Sequence, residues 1–520
     1  MSEYSTGPNR RDVLRWLTAA AAGGALPALG WADPARAQPT AATPDVTVLT
    51  HATIIDGTGA PARPDATIVL VGDRIVVAGA HANVPSAAGV RNVDLRGKYV
   101  LPGLWDSHTH YFDWEPVFPP LLLANGVTGV REMWGFPETH AVRDRINAGI
   151  TPGPPRVVIA SSIIDGPYSY WAPYDTEVRT EAEAREAVRQ AVRDKADFVK
   201  VYSYLGRDTF NAIADEARAL GIPFAGHLPD RVPAALASDL GQRTFEHRYG
   251  LFIATSGHEE AIRRDIDALP ADPAGAWFSQ VRTWERLAAD SYNPSRAAAL
   301  FERLARNDTR LSPTLTVLRT FAEPADSYLN DPRLRYFPQF IRDYWAQSIL
   351  LRAPSTPEQM AVQRAYFQAT SRLVATARQA GVHVVAGTDA GNPYCLPGFS
   401  IHDELALLVA GGLSPMEAIQ AATRDAAALA GLGETAGTVT PGKVADLLIL
   451  DADPLADIRN TQKIHGIVAA GRYIDSERRA QILADVEAYA AAPMTMAATA
   501  ATAATALTAP RPLKACGCHG

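Results

Sequence analysis

Cysteine is scarce: Cys395, Cys516 and Cys518 are the three in a chain of 520 residues. So few thiols exclude a disulfide framework and a cysteine-rich structural zinc site. Excess positive charge is also missing. The formal net charge is -7, which leaves no basic footprint for nucleic acid. No glycine-rich phosphate loop follows the first strand of the central region, which weighs against a nucleotide-binding sheet. The apolar stretch from Trp16 to Trp31 is too short and too mild for stable membrane insertion. Apolar residues, by contrast, are plentiful. They make up 47% against 20% charged, enough for a large core. A chain this long holds about two to four domains.

The two ends read as separate from the fold. Arg10-Arg11-Asp12-Val13-Leu14 sets a twin arginine before the apolar stretch. Ala35-Arg36-Ala37 then offers a small-x-small cleavage site before Gln38. Residues 1–37 resemble a bacterial twin-arginine (Tat) signal peptide, with Asn9 where Ser or Thr is usual and Val13 where Phe is usual. The resemblance implies export to the periplasm or medium, with the Tat machinery as a partner. A disordered Ala-rich terminus is the alternative. Residues 490–510 are nearly all Ala, Thr, Met and Pro without period, and 490–520 read as a disordered tail. Cys516, Cys518 and His519 at its end suit a soft metal, or are simply mobile.

Between the ends, two segments read as short alternating strands, 45–100 and 430–475. Together they predict one small β-sandwich domain built from both ends of the chain. The region 101–429 is then an insertion with adjacent entry and exit. It alternates strands with helices, and eight strand-like runs can be counted, ending near Asp106, Glu132, Ala160, Tyr202, His227, His247, Leu315 and Asp389. Regular alternation of this kind predicts an α/β fold, a (β/α)8 TIM-type barrel, with a doubly wound sheet as the alternative. Two long helical insertions, at about 250–310 and 318–380, follow strand ends and are candidates for a lid or substrate wall.

Candidate ligands recur at the ends of these strands. His108 and His110 stand two apart, so one strand face presents both. Alone, such a pair is as well explained by packing or exposure. Lys200, inside Phe198-Val199-Lys200-Val201-Tyr202, is harder to set aside, because lysine is almost never buried without a partner. His227, His247 and Asp389 end three further strands, where barrel active sites are built. Tyr202 and Tyr204 are either substrate contacts or rim packing. His140 is a further candidate; His383 and His402 read as structural, and Arg131 with Glu132 as a paired charge.

These stretches, with Gly226-His227-Leu228-Pro229, Ala386-Gly387-Thr388-Asp389-Ala390-Gly391 and Gly442-Lys443-Val444-Ala445-Asp446-Leu447, resemble the amidohydrolase superfamily over roughly 45–472. The similarity is strongest to its prolidase-like and imidazolonepropionase-like branch. The resemblance implies a binuclear centre of divalent ions, Zn²⁺ by the ligand chemistry. His108, His110 and Asp389 would hold one ion, His227 and His247 the other, and a carboxylated Lys200 would bridge them. A metal-bridging hydroxide would attack, with Asp389 as proton shuttle; Tyr202 is a candidate contact to the substrate carbonyl or carboxylate. The expected activity is hydrolysis of amide bonds in dipeptides or N-acyl amino acids. Cyclic amides, lactones and phosphotriesters are the alternatives, and a non-catalytic metal-binding barrel is the reading outside enzymes. A homo-oligomer is expected.

Overall fold

The computed structural model describes residues 45–81, 89–110, 112–270 and 276–493. The signal-like segment 1–37 and the tail from 494, with Cys516, Cys518 and His519, lie outside the described residues. Apolar residues alternating with polar ones build three antiparallel strands, β1 (Val46–Ile54), β2 (Arg63–Val71) and β3 (Arg74–Ala80). β4 (Val90–Asp94) and β5 (Tyr99–Pro102) follow one another along the other edge of β1, both parallel to it. The sheet is therefore mixed, not a series of hairpins.

At Gly103 the chain enters the barrel. β6 (Leu104–Thr109), β7 (Val127–Glu132) and β8 (Arg156–Asp165) run parallel, with the two-residue β9 (Thr176–Glu177) beside the end of β8. β10 (Phe198–Val201), β11 (Phe224–Gly226), β12 (Thr244–Glu246) and β13 (Arg310–Ser312) continue the ring. These runs are short and wholly buried, as parallel strands covered on both faces must be. The eighth position is 383–390. Its backbone pairs with β13 through Val385 N–H to Leu311 O (2.8 Å), and with β6 through Asp389 N–H to His108 O (2.9 Å). These bonds close the barrel.

The outer helices start and stop where local chemistry demands. Thr180 and Glu183 form a capping box at the start of Glu181–Arg193. Gly221, at φ 70°, ends Arg207–Leu220. The last helix of each long insertion, Pro294–Arg306 and Pro357–Gln379, belongs to this ring. Phe301, Leu304, Leu373 and Ala377 share a core with Val199 and Phe245.

The chain returns to the first domain through β14 (Leu447–Leu450), β15 (Ile464–Ala469) and β16 (Arg472–Ile474). β14 pairs antiparallel with β5, and the run before it meets β3 again, with Ile75 N–H donating to Lys443 O at 2.9 Å. The sheet thus folds over on itself around Leu49, Ile68, Ile75, Val100, Leu447 and Val468. A helix that the sequence pattern did not reveal, Ser476–Ala491, then runs back to the barrel, where Arg479 Nε donates to Ala124 O at 2.6 Å. The tail expected from residue 490 therefore starts two residues inside this helix, whose Ala490 is buried. No helix among the described residues is long and apolar enough to cross a membrane.

Candidate metal centre

Strand ends bring the candidate ligands together at one mouth of the barrel. His108, His247 and Asp389 each present a ligand atom, and these atoms lie within 4.8 Å of one another. His110 Nε2 stands 3.1 Å from Asp389 Oδ1. The ring of His227 lies 4.9 Å from that of His247. Lys200, 1% exposed, lines the same cavity as His110, His227 and His247. The compact triad takes His108 and Asp389 from one expected pairing and His247 from the other. His247 (φ 63°), Asp389 (φ 60°) and Thr314 (φ 48°) all hold left-handed backbone without being glycine. Strain of this kind persists only where the surroundings enforce it, and here it turns side chains off strand ends into the mouth.

Three imidazoles are oriented through Nδ1. His108 Nδ1 meets Glu246 Oε2 at 2.8 Å, His227 Nδ1 meets Ser203 Oγ at 2.9 Å, and His247 Nδ1 meets Thr314 Oγ1 at 2.6 Å. A partner on one ring nitrogen sets the tautomer and leaves the other nitrogen for an ion. His108 Nε2 is buried without a hydrogen-bond partner and lies 3.5 Å from Asp389 Oδ1. A buried nitrogen in that state costs about 1–3 kcal/mol unless something ligates it. The donor set, imidazoles with a carboxylate, is the set that divalent transition ions take.

Behind the ligands lies a buried charged layer. Arg131 donates to Glu246 Oε1 at 2.6 Å and to Ser107 O at 2.7 Å. Its partner is thus Glu246 and not the adjacent Glu132, which accepts from Thr109 instead. Neighbouring strand residues point to opposite faces, so Arg131 and Glu132 cannot pair with each other. Burial alone would raise the Glu246 carboxyl. Arg131, His108 and Lys200 reverse that and hold it well below the usual carboxylate range. Asp106 accepts from His108 N–H (3.2 Å), Thr388 N–H (3.0 Å) and Thr388 Oγ1 (2.5 Å), pinning two ligand-bearing strands together. Burial pushes Lys200 down to about 8, bringing its neutral form within reach, and His108 down to about 4, so that its imidazole is neutral at about pH 7.

About 370 Å³ of empty space, part of it open to solvent, lies beside the ligands. The other wall of this cavity is Trp134, Ile163, Trp171 and Tyr202. These come from the ends of β7, β8 and β10 and the loop after β8, not from the long insertions expected to form a substrate wall. The reason is the length of β8: its ten residues carry the chain over the mouth, and Asp165 ties the loop back through Tyr204 N–H at 2.6 Å. Trp171 Nε1 donates to Tyr202 Oη at 3.1 Å, and Tyr202 stacks on His227 at 3.9 Å. Tyr204 packs on Trp277 in the core. His140 accepts from Arg143 on its own helix and is not part of the cavity wall. His383 sits beside Asp425, and His402 is buried between Thr461 and Asn125 O.

Asp106, Glu246, Ser203, Thr314, Trp134 and Trp171 were not singled out by sequence. Asp106 had a signal, standing two residues before His108 on the same strand face. Glu246 had a weaker one, as a carboxylate in an apolar strand.

Fold and site together define a barrel hydrolase with a candidate metal site, and the chain belongs to the amidohydrolase family, whose model matches residues 99–474. An imidazolonepropionase of Acidiphilium cryptum (strain JF-5) is 27% identical over 422 residues, covering 77% of this chain and 92% of the relative. An N-acyl-D-aspartate deacylase of Alcaligenes xylosoxydans xylosoxydans is 39% identical over 85 residues, 16% of each chain. Among solved structures, a putative prolidase from Bifidobacterium longum is 25% identical with TM-score 0.60, covering 85% of this chain and 99% of that one. Bottromycin amidohydrolase has the same fold, with TM-score 0.67 and 23% identity, over 86% of this chain and 91% of that one.

Proposed function

We propose that this chain hydrolyses the amide bond of small dipeptides or N-acyl amino acids that carry an apolar side chain. The observation that carries this reading is one cavity with two unlike walls, a ligand cluster on one and Trp134, Ile163, Trp171 and Tyr202 on the other. Indole and phenol faces take apolar and aromatic groups. The polar wall supplies the chemistry.

The residues fit two divalent ions, zinc by ligand type, held by His108, His110, Lys200, His227, His247 and Asp389. When bound, the ions supply an activated water and polarise the carbonyl. Asp389 takes the proton from the attacking water and delivers it to the leaving amine, base first and acid second. Lys200, once it has lost its ammonium proton, gains CO2 on the neutral amine and releases a second proton, leaving an anion with two oxygens where a cation stood. Tyr202, positioned by the Trp171 N–H, hydrogen-bonds the substrate carbonyl, and burial keeps its phenol protonated. The export signal read in 1–37 supports a periplasmic or secreted enzyme, and we expect a homo-oligomer.

The relative named imidazolonepropionase favours ring opening of a cyclic amide as the second reading. The test is metal analysis of the purified enzyme with a panel of dipeptides, N-acyl amino acids, cyclic amides, lactones and phosphotriesters. About two ions per chain and turnover of linear amides with apolar side chains are expected, falling by several orders of magnitude in Asp389→Asn. Turnover confined to rings or phosphotriesters would refute the substrate class. Full turnover in Asp389→Asn would refute the proton shuttle.

A further inference from the structure

The end domain carries a second cluster, remote in sequence from the barrel ligands. His51, Asp65 and His81 each offer a ligand atom, all within 4.8 Å of one another. They come from β1, β2 and the residue after β3. The backbone is shaped to bring them together. Between Leu49 and Ala52, β1 holds one residue more than β2 opposite; between Ala52 and Ile54 the excess passes to β2. These are two successive bulges, and bulges re-aim side chains. His51 lies in the first and Asp65 in the second, both in left-handed backbone (φ 59° and 46°), a conformation uncommon outside glycine that His and Asp tolerate better than most residues. His81 is tied to the same place by its N–H, which donates to Asp65 O at 3.0 Å.

The three side chains lie against one another. The His51 and His81 rings stack at 4.3 Å, 22° from parallel. His51 Nδ1 lies 2.8 Å from Asp65 Oδ1. Thr67 Oγ1, on the residue facing the first bulge, lies 3.3 Å from His81 Nδ1 and orients that ring as hydroxyls orient metal-bound imidazoles. A tetrahedral zinc site needs ligand atoms about 3.3 Å apart. The closure required is therefore at most roughly 1.5 Å, which side-chain rotation supplies. The side chain of Asp65 is 66% exposed and that of His51 29%, so an ion can enter and solvent can complete its coordination.

We propose that His51, Asp65 and His81 form a zinc site in the end domain, separate from the barrel centre, that clips β1, β2 and β3 together. It is independent of the reaction proposed above. The test is calorimetric titration of the metal-loaded enzyme, freed of excess metal, with ZnCl2. One further ion per chain should bind to the unsubstituted protein and none to His51→Ala/His81→Ala, with turnover unchanged in both. Thr67→Val, which keeps all three ligands, should weaken that uptake about 10–100-fold. In the unsubstituted protein, Zn²⁺ should protect His51 and His81 from diethylpyrocarbonate, mapped by mass spectrometry. Equal uptake by the double variant overturns the proposal, as does modification of both histidines at the same rate with and without zinc.

Discussion

At the scale of single residues, the site depends on what stands behind the ligands as much as on the ligands. Glu246 holds His108 through Nδ1 and neutralises Arg131. Glu246→Gln should lower metal affinity about 10–100-fold, because His108 loses its anionic partner. It should also destabilise the fold by about 3–5 kcal/mol, since Arg131 is left buried without a counter-charge. Metal content after dialysis and urea unfolding separate the two effects. Lys200→Ala should abolish turnover and lower the metal content. An alanine variant that keeps both would remove the carbamate bridge from the mechanism. Lys200 was legible in the sequence, because a lysine between buried valines needs a reason. Glu246 was hardly legible, because its partners sit 138 and 115 residues away.

At the scale of elements, close approach of strands sets the ligand geometry. A Cβ on Gly387 would lie 2.7 Å from Ser312 Oγ and 2.8 Å from His108 Cβ. Gly387→Ala should therefore push the eighth strand off β6 and β13 and displace His108. A stability loss of about 1–3 kcal/mol is expected. The loss in kcat should be larger, on the order of 100-fold, as small misplacements at a reacting centre produce. Thermal melting beside steady-state kinetics would show whether the two losses differ in this way. The loop after β8 acts on the other wall. Trp171→Phe keeps a ring but removes the donor to Tyr202 Oη, worth about 1 kcal/mol, or roughly fivefold in kcat/KM for amides with apolar side chains. An unchanged value would remove Trp171 from the positioning of Tyr202.

At the scale of the whole molecule, His402 joins the two domains. Its helix belongs to the barrel, its Nδ1 meets Thr461 of the end domain at 3.0 Å, and its Nε2 donates to Asn125 O at 3.0 Å. Burial depresses His402 from 6.5 to about 4, so the folded protein holds it neutral. Below 6.5 the unfolded chain binds a proton here that the folded chain refuses. The contribution is therefore intact above pH 6.5 and is lost as pH falls toward 4, by about 3 kcal/mol in all. Urea unfolding of wild type and His402→Gln at pH 7.5 and pH 5 should show a shallower acid loss in the variant. Equal losses would mean that His402 does not report on the junction.

What the sequence determined by itself is periodic or local. Period-two runs at both ends marked the composite domain, eight buried runs separated by amphipathic helices marked the barrel, and histidines, a lysine and an aspartate at strand ends marked the candidate ligands. Each signal lies within a few residues, where side-chain direction follows from backbone type. Closure decided the rest. Only when 383–390 paired with both β6 and β13 did Asp389 meet His108. Only then did Arg131 find Glu246, and only the reach of β8 set Trp171 against Tyr202. These contacts join strands far apart in the chain, and their register is set by packing the whole ring, which no local pattern encodes.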